Sequence, residues 1–155
     1  MRKLIPMSVV ATLLLVALPI VSAGAGTPWM EVEMVVEIHY DAGDPYGPFE
    51  AEGPAVDAGL ICASGETLDI YSRDHTRNEE GLSRFTVIKR FTCSDGTFDV
   101  RSNIINNQIR GFELVFWRVV DGTGAYEDLR GNGTAFGMGT IDPNVSIETF
   151  NGRLR

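Results

Sequence analysis

His39 and His75 are the only histidines in the chain. A nucleophilic triad would need one of them beside a serine on a strained strand-to-helix turn. No Gly-x-Ser-x-Gly elbow is present, so both histidines read as surface polar residues. Glu31 and Glu33 face the same way on an extended segment, as paired glycosidase carboxylates can, but acids repeated along one outer strand face are first of all a solvated face. Asp41, Asp44 and Glu50 fall in a proline-rich loop without EF-hand spacing. The glycines at 122–133 lack both the lysine of a phosphate loop and a dinucleotide fingerprint. These patterns point to no metal and no cofactor. Cys62 and Cys93 are the two cysteines. In an oxidising compartment an even pair is most simply a disulfide, with free thiols or metal ligation as the alternatives.

The remaining chemistry is binding by shape. Tyr40, Phe91, Phe98, Phe116, Tyr126 and Phe136, with Phe85, could wall an apolar pocket for a small hydrophobic molecule. Glu37, His39, Arg90 and Arg118 are the polar residues near strand faces. A core filled by the same aromatics is the alternative reading.

The elements that must position these residues begin after a leader. Met1-Arg2-Lys3 precedes an apolar run from Leu4 to Val21 and the small residues Ser22, Ala23, Gly24 and Ala25. That is the form of a secretory signal, spanning 1–23 with cleavage alternatively after 25. Pro6, Pro19 and the small exit favour cleavage over a stable membrane anchor. The expected location is therefore secreted, extracellular or periplasmic. Residues 27–155 are expected to form a single domain. The full chain carries 13 basic and 21 acidic residues, a formal net charge of −8. Loss of Arg2 and Lys3 would make it more negative, which disfavours nucleic acid as a partner. Asn132 and Asn144 open glycosylation sequons by pattern.

The segment 30–40 alternates, with Val32, Met34, Val36, Ile38 and Tyr40 on one face, and predicts a long strand with one wet side. Residues 41–54 predict a loop with a short extended piece at 49–51. Segments 55–62 and 66–72 predict a hairpin, and 73–83 an exposed loop. Strands are expected at 85–93 and 97–105 about an Asp-Gly turn. The segment 112–120 is apolar on both faces, as in a strand covered on both sides by this chain or by another copy. A strand at 134–140, with small residues on one face, precedes the last at 145–154. About eight short strands with almost no helix give an all-β fold, a closed antiparallel barrel or a β-sandwich.

Gly122, Gly124, Gly131 and Gly133 bracket a short turn in which Tyr126 and Leu129 face the same way and Arg130 precedes the exit. Thr123 or Asp121 is placed to cap that turn. The run from Gly122 to Thr134 resembles the secreted bacterial relatives of the allene oxide cyclase and dirigent barrels. Cys62-Ala63-Ser64-Gly65, the run from Phe91 to Phe98 and Trp117 fit the same branch, so the resemblance extends from about Leu60 to the C-terminus. It implies a single eight-stranded antiparallel barrel and chooses it over the sandwich. It also implies a small hydrophobic or phenolic ligand held inside, in some relatives steered through an isomerisation, cyclisation or coupling, and a homo-oligomer such as the trimers of the plant proteins. None of Glu37, His39, Arg90 or Arg118 aligns with the catalytic acids of the plant enzymes, so no catalytic residue carries over. The expected function is a secreted barrel that binds a small hydrophobic molecule or serves as an extracellular interaction module. The alternative is a cyclisation-steering isomerase.

Overall fold

The computed structural model describes residues 27–41, 43–77 and 81–155, and the expected signal peptide lies outside them. Eight strands follow one another around a closed barrel: β1 (Met30–His39), β2 (Tyr46–Glu52), β3 (Ser64–Arg77), β4 (Leu82–Cys93), β5 (Gly96–Asn107), β6 (Phe112–Gly124), β7 (Gly131–Gly139) and β8 (Val145–Leu154). Every neighbour is antiparallel. β1 closes the ring on β8 from Met30↔Leu154 to His39↔Val145. Closure satisfies both edges of each strand, and the barrel, not the sandwich, is the fold.

Period-two alternation decides which side chains enter. On β1, Val32, Met34, Val36 and Ile38 are buried, while Glu31, Val35 and Glu37 are exposed. The other strands obey the same parity, with bulges at Ile70 and His75 of β3 and at Val120 of β6, opposite Asp99 and Val100 of β5.

Three sequence expectations are corrected. Part of the expected loop at 41–54 is a full strand, β2. It pairs with β1 at Phe49 and again at Tyr46, but not at Gly47 or Pro48, where proline has no N–H to contribute. The segment 55–62 is not a strand. Pro54 opens a one-turn helix, α1 (Pro54–Asp57), since proline suits the first helical position, and Ala55 and Ile61 from this connection enter the core. Most of the expected loop at 73–83 is strand, because β3 runs to Arg77 and β4 starts at Leu82, and Asp74, His75, Thr76 and Ser83 border the barrel mouth.

The barrel is filled at one end only. There Phe91 and Phe98 stack with centroids 4.8 Å apart, and Phe49 and Phe150 meet Phe91 edge-on. Trp117 lies over Gly133 and Gly152, and its indole N–H donates to the Thr134 carbonyl at 3.1 Å. A Cβ at either glycine would run into the Trp117 ring and into backbone of the facing strand. The Cys62–Cys93 disulfide ties the α1 connection to the end of β4, with 6.1 Å between the two Cα atoms.

The glycine segment closes the same end. Gly124 adopts φ 61° and lies against the Asp95 carbonyl, a place with no room for a side chain. The chain then turns through hydrogen bonds from Tyr126 N–H to the Thr123 carbonyl and from Leu129 N–H to the Tyr126 carbonyl. Tyr126 is buried against Phe98, and its hydroxyl donates to Asp95 Oδ1 at 2.6 Å. Leu129 packs on the core as expected. Arg130 is exposed and pairs through its backbone with Arg155. Thr123 and Asp121 do not cap the turn: Thr123 Oγ1 pairs with Thr97, and Asp121 accepts from the N–H of Gly122.

Candidate functional site

The other end of the barrel opens into a cavity of about 590 Å³, within the range of small-molecule sites. The apolar wall comes from Ile38 on β1, Phe85 and Val87 on β4, and Ile104 on β5. Asp69 and Asp74 of β3, Lys89 of β4, Ser102 and Asn106 of β5, Glu113 of β6 and Glu148 of β8 supply the polar surface. Each is placed by alternation. Asp69 follows inward-facing Thr67 by two residues, Lys89 stands midway between Val87 and Phe91, Glu113 precedes Val115 by two, and Glu148 precedes Phe150 by two.

Lys89 is only 2% exposed. Its ammonium donates to Asp69 Oδ1 at 2.7 Å and lies 4.0 Å from Glu148 Oε2. A buried ion pair holds only where geometry and further hydrogen bonds offset desolvation. Here one ammonium faces several carboxylates. Burial raises Asp69 against the pull of Lys89. It raises Glu113 too, even though the Asn106 side-chain amide donates to its carboxylate. Glu148 is pushed up to about 7, first by burial, which outweighs the pull of Lys89, with smaller repulsion from Glu113 and Asp69. At neutral pH this carboxyl is therefore divided between its two protonation states, poised to hold or release a proton.

Tyr40 stands at the mouth, its hydroxyl 3.0 Å from Ser146 Oγ. Desolvation pushes that hydroxyl up to about 12, so it is a neutral hydrogen-bonding group. Ser102 Oγ is buried and has no hydrogen-bond partner within the protein.

Of the six expected lining aromatics, only Tyr40 borders this cavity. Phe91, Phe98 and Tyr126 belong to the filled end. Phe116 and Phe136 point away from the interior and are 55% and 43% exposed, because their positions have the outward parity of β6 and β7. Among the described residues, nothing accordingly covers the outer side of 112–120. Leu114, Phe116, Phe136 and Met138 form an exposed apolar face, with Phe112 stacked on Phe136. Arg90 is also outside, bidentate to Asp99 at 2.8 Å, and Glu37 pairs with His39 at 2.9 Å on the outer surface. Arg118 is exposed. Among the described residues, no group of three or more His, Cys, Asp or Glu is placed to hold a metal ion.

Four residues that matter at this site, Lys89, Asp69, Glu113 and Glu148, were not candidates on sequence grounds. Their signal was parity: charged side chains at inward positions of otherwise apolar strand faces. Neither the known protein families nor the curated proteins contain a match to this chain.

Proposed function

We propose that this protein is secreted and binds one small molecule in the open end of its barrel. The observation that carries the reading is a cavity of about 590 Å³ whose floor holds a buried lysine among carboxylates, beside the apolar wall of Ile38, Phe85, Val87 and Ile104. Buried ionised groups are costly to maintain, and a barrel that needed only a core could have continued the aromatic packing of its other end. An apolar body with one polar group matches the division of the lining. Secretion is supported by the form of the leader and by the Cys62–Cys93 disulfide. The resemblance of Gly122–Thr134 to the allene oxide cyclase and dirigent barrels supports a ligand inside the barrel, and self-association through the apolar outer face of β6 and β7 accords with it.

The test is native mass spectrometry of the mature protein from its own secretion medium, alongside a Val87→Trp variant that fills the cavity. A retained small molecule, absent from the variant, is the expected result. If an apolar dye and a broad small-molecule panel also fail to bind the unaltered protein, the cavity is not a binding site.

A second reading, a cyclisation-steering isomerase, is favoured by one observation. Glu148, with its pKa near 7, could exchange a proton with a bound substrate. Turnover lost in Glu148→Gln with ligand binding retained would support it.

A further inference from the structure

We infer that the cavity is built for an organic cation, an amine on an apolar body, whose ammonium group is held by Glu113 and Glu148. This rests on the reading of the cavity as a binding site and names its ligand class. The first ground is charge. Asp69, Asp74, Glu113 and Glu148 line the cavity, and among the described lining residues Lys89 is the one lysine or arginine. That lysine is committed to Asp69 at 2.7 Å and stands farther from Glu148, at 4.0 Å. The floor is short of positive charge, and a bound ammonium would supply it in a setting where charge-assisted hydrogen bonds are strong.

The second ground is Ser102. Its hydroxyl is 98% buried by residue exposure, lines the same cavity and has no partner within the protein. A buried polar atom left unpaired is rare and costly, and a polar group of a ligand in this cavity would satisfy it.

The third ground concerns what is excluded. The single ammonium is flanked by carboxylates, so a carboxylate or phosphate ligand would meet net repulsion there. The body of the amine has Phe85, Val87 and Ile104 to pack on, and Tyr40 lines the same cavity. The net charge of −8 favours approach of cations to the mouth.

Titration calorimetry of the mature protein at pH 8 with three indole probes separates the outcomes: tryptamine, the alcohol tryptophol and the carboxylate indole-3-propionate. Tryptamine should bind at least about tenfold more tightly than tryptophol, a difference of about 1.4 kcal/mol, and the carboxylate should bind most weakly. Glu113→Gln and Glu148→Gln should each remove about tenfold of tryptamine affinity and leave tryptophol unaffected, with thermal melts confirming folding. The comparison of the three probes on the unaltered protein needs no variant. Equal or tighter binding of tryptophol overturns the amine assignment and leaves the cavity reading standing. Binding of none of the three, together with no binding of the neutral dye Nile red, overturns both.

Discussion

Glu113 on β6 and Glu148 on β8 are both in register with Gly137 of β7, so the two carboxylates share the space that a β7 side chain would occupy. A Cβ at Gly137 would stand 3.3 Å from Glu148 Cγ and 3.4 Å from Glu113 Cβ. These contacts are tight but not overlapping, so Gly137→Ala should fold at a cost of about 1 kcal/mol. It should also lower tryptamine affinity several-fold by wedging the carboxylates apart. Urea denaturation and calorimetry measure the two effects. Undiminished affinity in a folded variant would mean that the carboxylates do not act as a pair.

Glu148 gives the pH dependence a definite sign. Its carboxyl is near 7 in the folded protein against an ordinary value of 4.5. The folded state thus keeps the proton longer than the unfolded chain does. The stability linked to this residue is fully present below about pH 4.5 and is lost as pH rises through 7. Glu148→Gln should gain on the unaltered protein by an amount on the order of 3 kcal/mol between pH 4 and pH 8, read as a widening gap in Tm. Burial sets the midpoint first, and Lys89 from β4, Glu113 from β6 and Asp69 from β3 adjust it. Parallel melting curves across that range would show that Glu148 titrates ordinarily. Tryptamine affinity should carry the matching sign and fall below pH 7, as Glu148 takes up its proton.

The barrel was legible in the sequence because its local signals agree. The alternation of β1, the Asp-Gly turn at 95–96 and the glycine bracket around Tyr126 each specify a piece of one closed sheet. The site was not legible, for the same reason: apolar alternation directs attention to apolar residues. Lys89 interrupts the inward face of β4 and Glu113 that of β6, and each looks like an ordinary surface charge until strand parity is carried through them. Phe116 and Phe136 misled in the opposite sense. Aromatic type suggested a wall, but parity places both outside. The β2–β3 connection was misread because Pro54 and its apolar neighbours form a helical turn whose burial depends on the barrel end beneath it.

The Cys62–Cys93 bridge encloses a separation of 31 residues and anchors the α1 connection to β4. Chain-entropy reasoning assigns a loop of this size about 3–4 kcal/mol. Replacing both cysteines by serine should lower the urea midpoint by the corresponding amount, with little change in the slope. The cavity lies at the opposite end of the barrel, so probe affinity measured well below the new melting temperature should be unaltered. Loss of binding in the folded double variant would show that the two ends are coupled.

Lys89→Met isolates what the single ammonium does. Removing one partner of a buried ion pair leaves the other charged and uncompensated, a loss of about 3–5 kcal/mol. Asp69 and Glu148 are the groups stranded here, with side chains 12% and 5% exposed. The deficit should be largest at pH 8 and shrink toward pH 5, because the carboxylates can then relieve the imbalance by protonation. Adding Asp69→Asn should restore part of the loss, since it removes the charge that Lys89 meets at 2.7 Å. If the cavity takes organic cations, tryptamine should raise the Tm of Lys89→Met by more than it raises that of the unaltered protein, because the ligand then supplies the only ammonium at the floor. A variant as stable as the unaltered protein at pH 8 would mean that the carboxylates already stand protonated, and the charge deficit on which cation binding depends would not exist.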